Sequence, residues 1–285
     1  MSSPTLTVNA ARVPALSTLL LLCLAATWLI WGSTYLAIKF ALLMAWMRWR
    51  GAAWPTRTQW RNALIIGTLM LGGGMGGTAV AETSVGSGLV VAFIAVVPLM
   101  IAALNLIWGV RPGRLELAGI VVGLVGVLML TQGAGFQASP AGLAAIAIAC
   151  STWSVGSVLS QRSLPLAPGA TGFASEMLAG GAVLMALSWF AGEAPQWPPQ
   201  PAAVAAWFYL VVAGSLLAFN AYMVLLAHAS AGLASSYTFV NPVIAMLLGV
   251  AVLGEAVSGF EWAAAGVVLV GVVLMLRGAA LKRSA

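Results

Sequence analysis

No charged residue occurs between Ala194 and Gly254, and almost all of this segment is apolar. The whole chain of 285 residues contains 12 lysines and arginines, 6 glutamates and no aspartate. A water-soluble protein needs many more charges on its surface, whereas about 20 consecutive apolar residues cross a bilayer. Lipid offers no hydrogen-bond partners, so helices are the spanning structure that such runs can form. The composition therefore predicts an all-α polytopic membrane protein.

Nine apolar stretches are long enough to approach or reach the length of a membrane span. Short polar loops rich in proline and glycine separate several of them, which is typical of turns between helices. We predict the spans near residues 15–41, 62–81, 85–108, 115–130, 141–161, 169–191, 203–227, 231–253 and 259–276.

The chain contains an internal repeat. Ser87–Leu130 resembles Ala231–Leu276, and Pro98 lies at the position of Pro242 with an offset of 144 residues. Both copies are apolar, contain a proline, turn at a short polar loop and become apolar again. A duplicated hydrophobic unit is typical of transporter folds built from two repeats.

The offset between the two halves is smaller near the start of the chain. Gly32-Ser33 matches Gly156-Ser157 at an offset of 124, whereas Leu43–Ala45 matches Leu184–Ala186 at 141. The first half therefore lacks 17 residues near position 42, which is most of a transmembrane helix. We predict a ten-helix architecture with most of helix 2 missing from this chain. Its first repeat covers residues 15–131, and its second covers residues 140–277.

The basic residues agree with a ten-span arrangement. If ten spans were present and both termini lay inside, every lysine and arginine except Lys39 would fall in the inside segments. That is a positive-inside distribution. Five helices per repeat turn the second repeat over, so the pattern predicts inverted repeats related by an axis in the membrane plane.

Several motifs resemble a known family. They are Trp28-Leu29-Ile30-Trp31-Gly32-Ser33-Thr34 in the first span, Gly72-Gly73-Gly74 with Ala81-Glu82, and Asn241-Pro242 with Leu253-Gly254-Glu255. Together they resemble the EamA family of the drug/metabolite transporter superfamily, in particular its subgroup of YedA-like bacterial inner-membrane permeases. The resemblance covers roughly residues 19–276.

This resemblance implies a multi-pass protein of the bacterial inner membrane, with ten helices and a central cavity. It implies a secondary transporter that exports small metabolites, such as amino acids or related amphipathic solutes, by alternating access. The shortened first half leaves an alternative, which is a truncated, transport-inactive member of the superfamily.

Three ionisable residues in or beside predicted spans are candidates for function, because a charge there needs a partner, water or a role. Lys39 is either a lysine that reaches the membrane interface or a cavity cation for a substrate carboxylate. Glu82 and Glu176 are either interfacial carboxylates or proton-coupling groups, and Glu82 is also a candidate cavity residue.

Two asparagines interrupt apolar helices. Asn220 and Asn241 either hydrogen-bond to neighbouring helices or bind substrate. Asn241 precedes Pro242, and broken helices near the midplane often line binding sites. We predict helix kinks at Pro98 and Pro242. Val97 takes the place of Asn241 in the first repeat, so the two halves differ in polarity there.

Aromatic residues supply the remaining candidates for the cavity. Trp31, Trp153 and Tyr237 belong either to the aromatic belts at the membrane interfaces or to an apolar wall around the substrate.

The sequence argues against other classes of function. Gly72-x-Gly74-x-x-Gly77 follows no strand and precedes no suitably placed acidic residue, so it is not a dinucleotide site. One histidine and two distant cysteines predict no metal site and no cofactor, and we expect no enzymatic activity. Scattered basic residues predict no nucleic-acid partner. The expected partners are a small-molecule substrate and the lipid bilayer, with a homodimer left open.

Overall fold

The computed structural model describes residues 51, 53–132, 138–192, 209–248, 250–251 and 256–284. Every regular element in these ranges is helical. The helices are α1 (Arg57–Glu82), α2 (Ser87–Ile94), α3 (Val97–Asn105), α4 (Arg114–Leu130), α5 (Pro140–Arg162), α6 (Ala170–Phe190), α7 (Leu210–Phe219 continuing through Asn220–His228), α8 (Ala231–Ala234), α9 (Tyr237–Leu248) and α10 (Gly259–Ser284).

Five segments of the described chain are long and apolar enough to cross a membrane. They are Arg57–Glu82, Leu89–Trp108, Pro140–Arg162, Ala170–Phe190 and Gly259–Leu281. Each overlaps a span that the sequence predicts. The predicted membrane class and all-α fold are therefore confirmed.

Among the described helices, α1 and α7 contain wide turns. In α1 the segment Thr68–Gly76 is a π-helix of 9 residues, and α7 begins with a π-helix of 10 residues at Leu210–Phe219. A π-turn adds a residue to each helical turn and so changes which side chains face a neighbour. In α1 the wide turns contain Gly72, Gly73 and Gly74, the glycines of the predicted motif.

The two prolines of the repeat occupy different positions in their helices. Pro98 is buried at the second residue of α3, directly after the break between α2 and α3. Pro242 lies inside α9, and the helical structure is interrupted earlier, at Ser235-Ser236. The Ser235 and Ser236 hydroxyls donate to carbonyls of the preceding turn and so compete with the helical ladder. Helix α9 thus continues through Pro242, and a separate helix break lies one to two turns before the proline.

Equivalent glutamates begin α4 and α10. The Glu116 carboxylate accepts from the Gly113 backbone N–H at 3.4 Å, and the Glu261 carboxylate accepts from the Ser258 N–H at 2.7 Å. Each satisfies an amide that a helix start leaves unpaired. These two glutamates lie 145 residues apart, so equivalent helices of the two predicted repeats begin with the same capping interaction.

Helices α4 and α10 pack against each other in opposite directions, backbone against backbone. A Cβ built on Gly126 would lie 2.7 Å from the Val268 nitrogen, and one on Gly271 would lie 2.5 Å from the Gly123 nitrogen. At the far end, a Cβ on Gly278 would lie 2.7 Å from the Glu116 nitrogen. Small residues allow this approach, which supplies the van der Waals contact that holds helices together in lipid. We call this contact the glycine seam.

Helix α1 lies between α5 and α6. A Cβ on Gly67 would lie 2.8 Å from the Gly180 nitrogen of α6, and one on Gly73 would lie 2.6 Å from the Thr152 hydroxyl oxygen of α5. Glycines on α1 thus bring a segment of the predicted first repeat into close contact with two helices of the second.

Polar contacts tie the two ends of α5 to neighbouring segments. At its start, the Ser139 hydroxyl lies 2.9 Å from the Ser84 hydroxyl, and the Ser139 N–H donates to the Ser84 carbonyl at 3.1 Å. At its end, the Arg162 guanidinium donates to the Asn105 side-chain oxygen at 3.0 Å. We call these contacts the serine link and the arginine link.

The glycine seam makes a prediction about stability. We expect Gly271→Ala to lower the free energy of unfolding by about 1–3 kcal/mol, because the new methyl group would force α4 and α10 apart. The measurement is thermal or denaturant unfolding of the purified protein in detergent.

Gly266→Ala is the matched control on the same helix, because a Cβ at Gly266 meets no atom within 4 Å. Equal stability of the two variants would show that close packing at the seam does not hold the helices together.

Candidate functional site

A cavity lies where α1, the α2–α3 break, α5 and α9 meet. Its volume is about 80 Å³. The lining residues are Gly74, Met75, Thr78, Ile94, Val97, Ala149, Cys150, Trp153, Tyr237 and Asn241. Three predicted site residues, Trp153, Tyr237 and Asn241, therefore lie on one cavity.

Glycines on α1 make room for the tryptophan on α5. A Cβ on Gly74 would lie 2.9 Å from the Trp153 ring, so a larger residue there would push the indole aside. The Thr78 hydroxyl donates to the Gly74 carbonyl at 2.8 Å, which satisfies a backbone oxygen next to the wide turns. The single hydroxyl hydrogen of Thr78 is therefore used in a hydrogen bond within α1.

The described walls of the cavity carry no charged side chain. The Asn241 side-chain oxygen is buried, and it has no hydrogen-bond partner among the described residues. A buried carbonyl oxygen without a donor is costly, so this atom favours a bound group that donates a hydrogen bond.

Aromatic rings pack around the deep side of Trp153. Its ring centre lies 5.6 Å from that of Tyr222 and 6.0 Å from that of Phe219, and Tyr222 in turn lies 5.5 Å from Tyr237. The pairs are tilted or edge-to-face, the arrangements that aromatic quadrupoles favour. This cluster connects α5, α7 and α9 and fixes the two rings that face the cavity.

A buried hydroxyl pair lies beside these rings. The Ser157 hydroxyl donates to the Trp153 carbonyl at 2.8 Å, so its oxygen accepts from the Tyr222 hydroxyl at 2.9 Å. Both residues are completely buried. The pair sets the rotation of α7 against α5.

Glu176 on α6 is also completely buried. Neither of its carboxylate oxygens has a hydrogen-bond partner within the described chain. Phe173, three residues earlier on α6, lies 5.4 Å from Phe219 between ring centres, so Glu176 is on a helix that contacts the aromatic cluster. A carboxyl group in such surroundings requires a proton or a cationic partner.

The other candidate residues lie elsewhere. Glu82 is exposed at the end of α1, outside the cavity. Asn220 lines a second, larger hollow of about 590 Å³ between the ends of α5, α6 and α7, together with Gln161 and His228. Trp31 and Lys39 lie outside the described residues. Within the described ranges, no group of three or more histidine, cysteine or acidic residues could hold a metal ion.

Sequence reasoning missed several residues of this site. The sequence indicates a small buried side chain at Cys150, and the structure has it buried; what the sequence did not indicate is that it also lines the cavity, one turn before Trp153. The spacing of three residues places both on one face of a helix, so the pattern could have indicated it. Thr78 and Tyr222 carried no comparable signal, because their positions depend on packing between distant segments.

Comparison with known proteins decides the family. The chain is 38% identical over 273 residues to the uncharacterized inner membrane transporter YedA of Escherichia coli K12, and the alignment covers 89% of each protein. The YedA proteins of E. coli O6:H1 and O157:H7 match equally well. The EamA-like transporter family matches residues 140–277.

The chain belongs to the EamA-like transporter family. The family resemblance predicted from the sequence motifs is confirmed, and this member of the EamA-like family is a multi-pass inner-membrane transport protein. A solved crystal structure aligns with 93% of this chain and 88% of its own, with a TM-score of 0.67 at 23% identity. That likeness shows a shared fold.

The hydroxyl pair yields a second prediction. We expect Tyr222→Phe to lower the free energy of unfolding by about 1 kcal/mol, because one buried hydrogen bond is lost. Unfolding in detergent would be measured for Tyr222→Phe, Ser157→Ala and the double variant. The double-mutant cycle should give a coupling energy that differs from zero. Additive effects would show that the two hydroxyls do not support each other.

Proposed function

We propose that this EamA-family protein is a secondary transporter that exports small amphipathic metabolites, such as amino acids or related solutes, by alternating access. The cavity described above carries the proposal. Gly74 and Val97 come from the predicted first repeat, and Trp153 and Asn241 come from the second. A site between two repeats is where transporters of this architecture bind substrate.

The glycine seam supports the inverted relation of the repeats. Gly126 contacts Val268, and Gly123 contacts Gly271. An offset of 145 residues converts one of these contacts into the other, which is the reciprocity that a twofold axis produces. The antiparallel direction of α4 and α10 agrees with an axis that lies in the membrane plane.

The links at the two ends of α5 suggest how access alternates. The helix has 23 residues and is therefore about 34 Å long, so the serine link and the arginine link are separated by about the thickness of a bilayer core. Each joins α5 to a segment of the predicted first repeat. We propose that rocking of the repeats opens one link while the other stays closed.

A direct test is transport by the purified chain in proteoliposomes. A panel of radiolabelled amino acids and amphipathic solutes would be loaded for counterflow. Saturable, substrate-dependent flux supports the proposal. If none of the panel moves, the second candidate is favoured, which is a transport-inactive member of the family.

The shortened first half is the observation behind that second candidate. The offsets of 124 and 141 indicate a loss of 17 residues near position 42. Inserting an apolar helical segment after Leu42 tests this idea. Flux that appears only after the insertion would assign the inactivity to the missing helix.

Glu176 is the proposed proton-coupling residue, because it is a completely buried carboxyl group without a hydrogen-bond partner among the described residues. We expect Glu176→Gln to abolish the stimulation of flux by an imposed pH gradient, since the amide keeps the shape but cannot exchange a proton. Counterflow without a gradient should persist. Initial rates in proteoliposomes with and without a pH gradient are the measurement.

Glu82→Gln is the matched control, because Glu82 is exposed at the end of α1. We expect it to retain the response to pH. A full response in Glu176→Gln would exclude Glu176 from coupling, and a loss confined to Glu82→Gln would move the role to the helix end.

A further inference from the structure

We propose that the cavity selects solutes that combine an apolar, flat body with one uncharged N–H or O–H donor. In this proposal the side-chain oxygen of Asn241 accepts the hydrogen bond from that donor. The inference rests on the proposed function and narrows its substrate class: among amphipathic solutes it favours uncharged ones over amino acids, which carry an ionised ammonium and carboxylate. It assigns Val97 to the apolar wall and Asn241 to the polar wall.

The charge of the cavity supports an uncharged polar group. The described lining residues are apolar, aromatic or neutral polar. Burying an ionised group beside them would be expensive without an opposite charge. The free energy of burying a neutral donor is much less unfavourable, because one acceptor in the cavity satisfies its hydrogen bond.

The hydrogen-bond capacity of the cavity supports a donor on the ligand. The Thr78 hydroxyl donates its hydrogen bond to the Gly74 carbonyl, so it is not a donor for a solute. The Asn241 side-chain oxygen is a buried acceptor with no partner among the described residues. A ligand N–H or O–H would satisfy that oxygen, and a site built around a hydrogen bond discriminates against analogues that lack it.

The repeat explains why the two walls differ. Val97 and Asn241 are equivalent residues at an offset of 144, and both line this cavity. Equivalent positions on two repeats are expected to face one shared space from opposite sides. With valine on one side and asparagine on the other, a bound solute has a single preferred orientation.

The aromatic walls support a flat apolar body. Trp153 and Tyr237 both line the cavity, and the ring cluster behind them holds their orientation. Rigid rings offer a large contact area at a small entropic cost.

Cys150 provides a readout of binding that is independent of transport. It is a free, buried cysteine that lines the cavity, so a reagent that alkylates it must enter through the cavity. Cys23→Ser leaves Cys150 as the single thiol of the chain. The rate of its alkylation by N-ethylmaleimide in nanodiscs would be measured with increasing concentrations of indole, 1-methylindole, indole-3-acetate and tryptamine. These probes share one ring system and differ in donor and charge.

We expect indole to protect Cys150 best. Removing its N–H donor in 1-methylindole should weaken protection about three- to tenfold, the factor that one neutral hydrogen bond supplies. Asn241→Val should weaken protection by indole to the level of 1-methylindole. Adding Val97→Asn to that variant should restore the preference, because the acceptor returns on the equivalent wall.

Two controls exclude trivial explanations. Each variant must show the parent rate of alkylation without ligand, which verifies that the cavity is intact. Asn241→Ala repeats the comparison with a smaller side chain than valine. Ligand-dependent shifts in the melting temperature repeat it without using the thiol.

Three results would overturn the proposal. They are equal protection by indole and 1-methylindole, an unchanged preference in both Asn241 variants, and stronger protection by a charged analogue than by indole. If indole-3-acetate protects best and Lys39→Met removes its advantage, the selecting residue is a cation instead. Protection by indole without flux of any panel solute would reject the transporter proposal while leaving this one standing.

Discussion

The structure depends on close contact between helix backbones in lipid. Apolar side chains gain little by leaving lipid for another apolar surface, so helices associate through tight van der Waals packing. The glycine seam between α4 and α10 supplies this contact over most of α4. Gly67 and Gly180 supply it between α1 and α6. These contacts hold the frame in which every other side chain has its place.

The cavity forms where this tight packing is interrupted. Helical structure is interrupted between α2 and α3 and again between α8 and α9. The π-turns of α1 line the same cavity as these interruptions. Gly74 leaves room for an indole, and the aromatic cluster then fixes that indole from behind. The site thus has a rigid aromatic side and a side formed by helix breaks, which is the part that a rocking motion would change most easily.

Sequence reasoning reached part of the site. It selected Trp153, Tyr237 and Asn241, which lie on one cavity, because an aromatic or amide in an apolar helix stands out. The same reasoning selected Asn220 and Glu82, which lie in a different hollow and at an exposed helix end. Polarity marks a residue as unusual, but the direction in which it points depends on helix rotation, and several rotations satisfy the same hydropathy.

The amino-acid sequence alone determined the membrane class, the spans and the internal repeat. These properties are local or periodic, because lipid forces each helix to satisfy its own backbone hydrogen bonds whatever its neighbours are. The tertiary structure decided that Val97 and Asn241 share one cavity, that Ser157 accepts from Tyr222, and that Glu176 is sealed from water. Each of these facts joins segments far apart in the chain. Their meeting depends on which glycines come into contact, and hydropathy does not encode that choice.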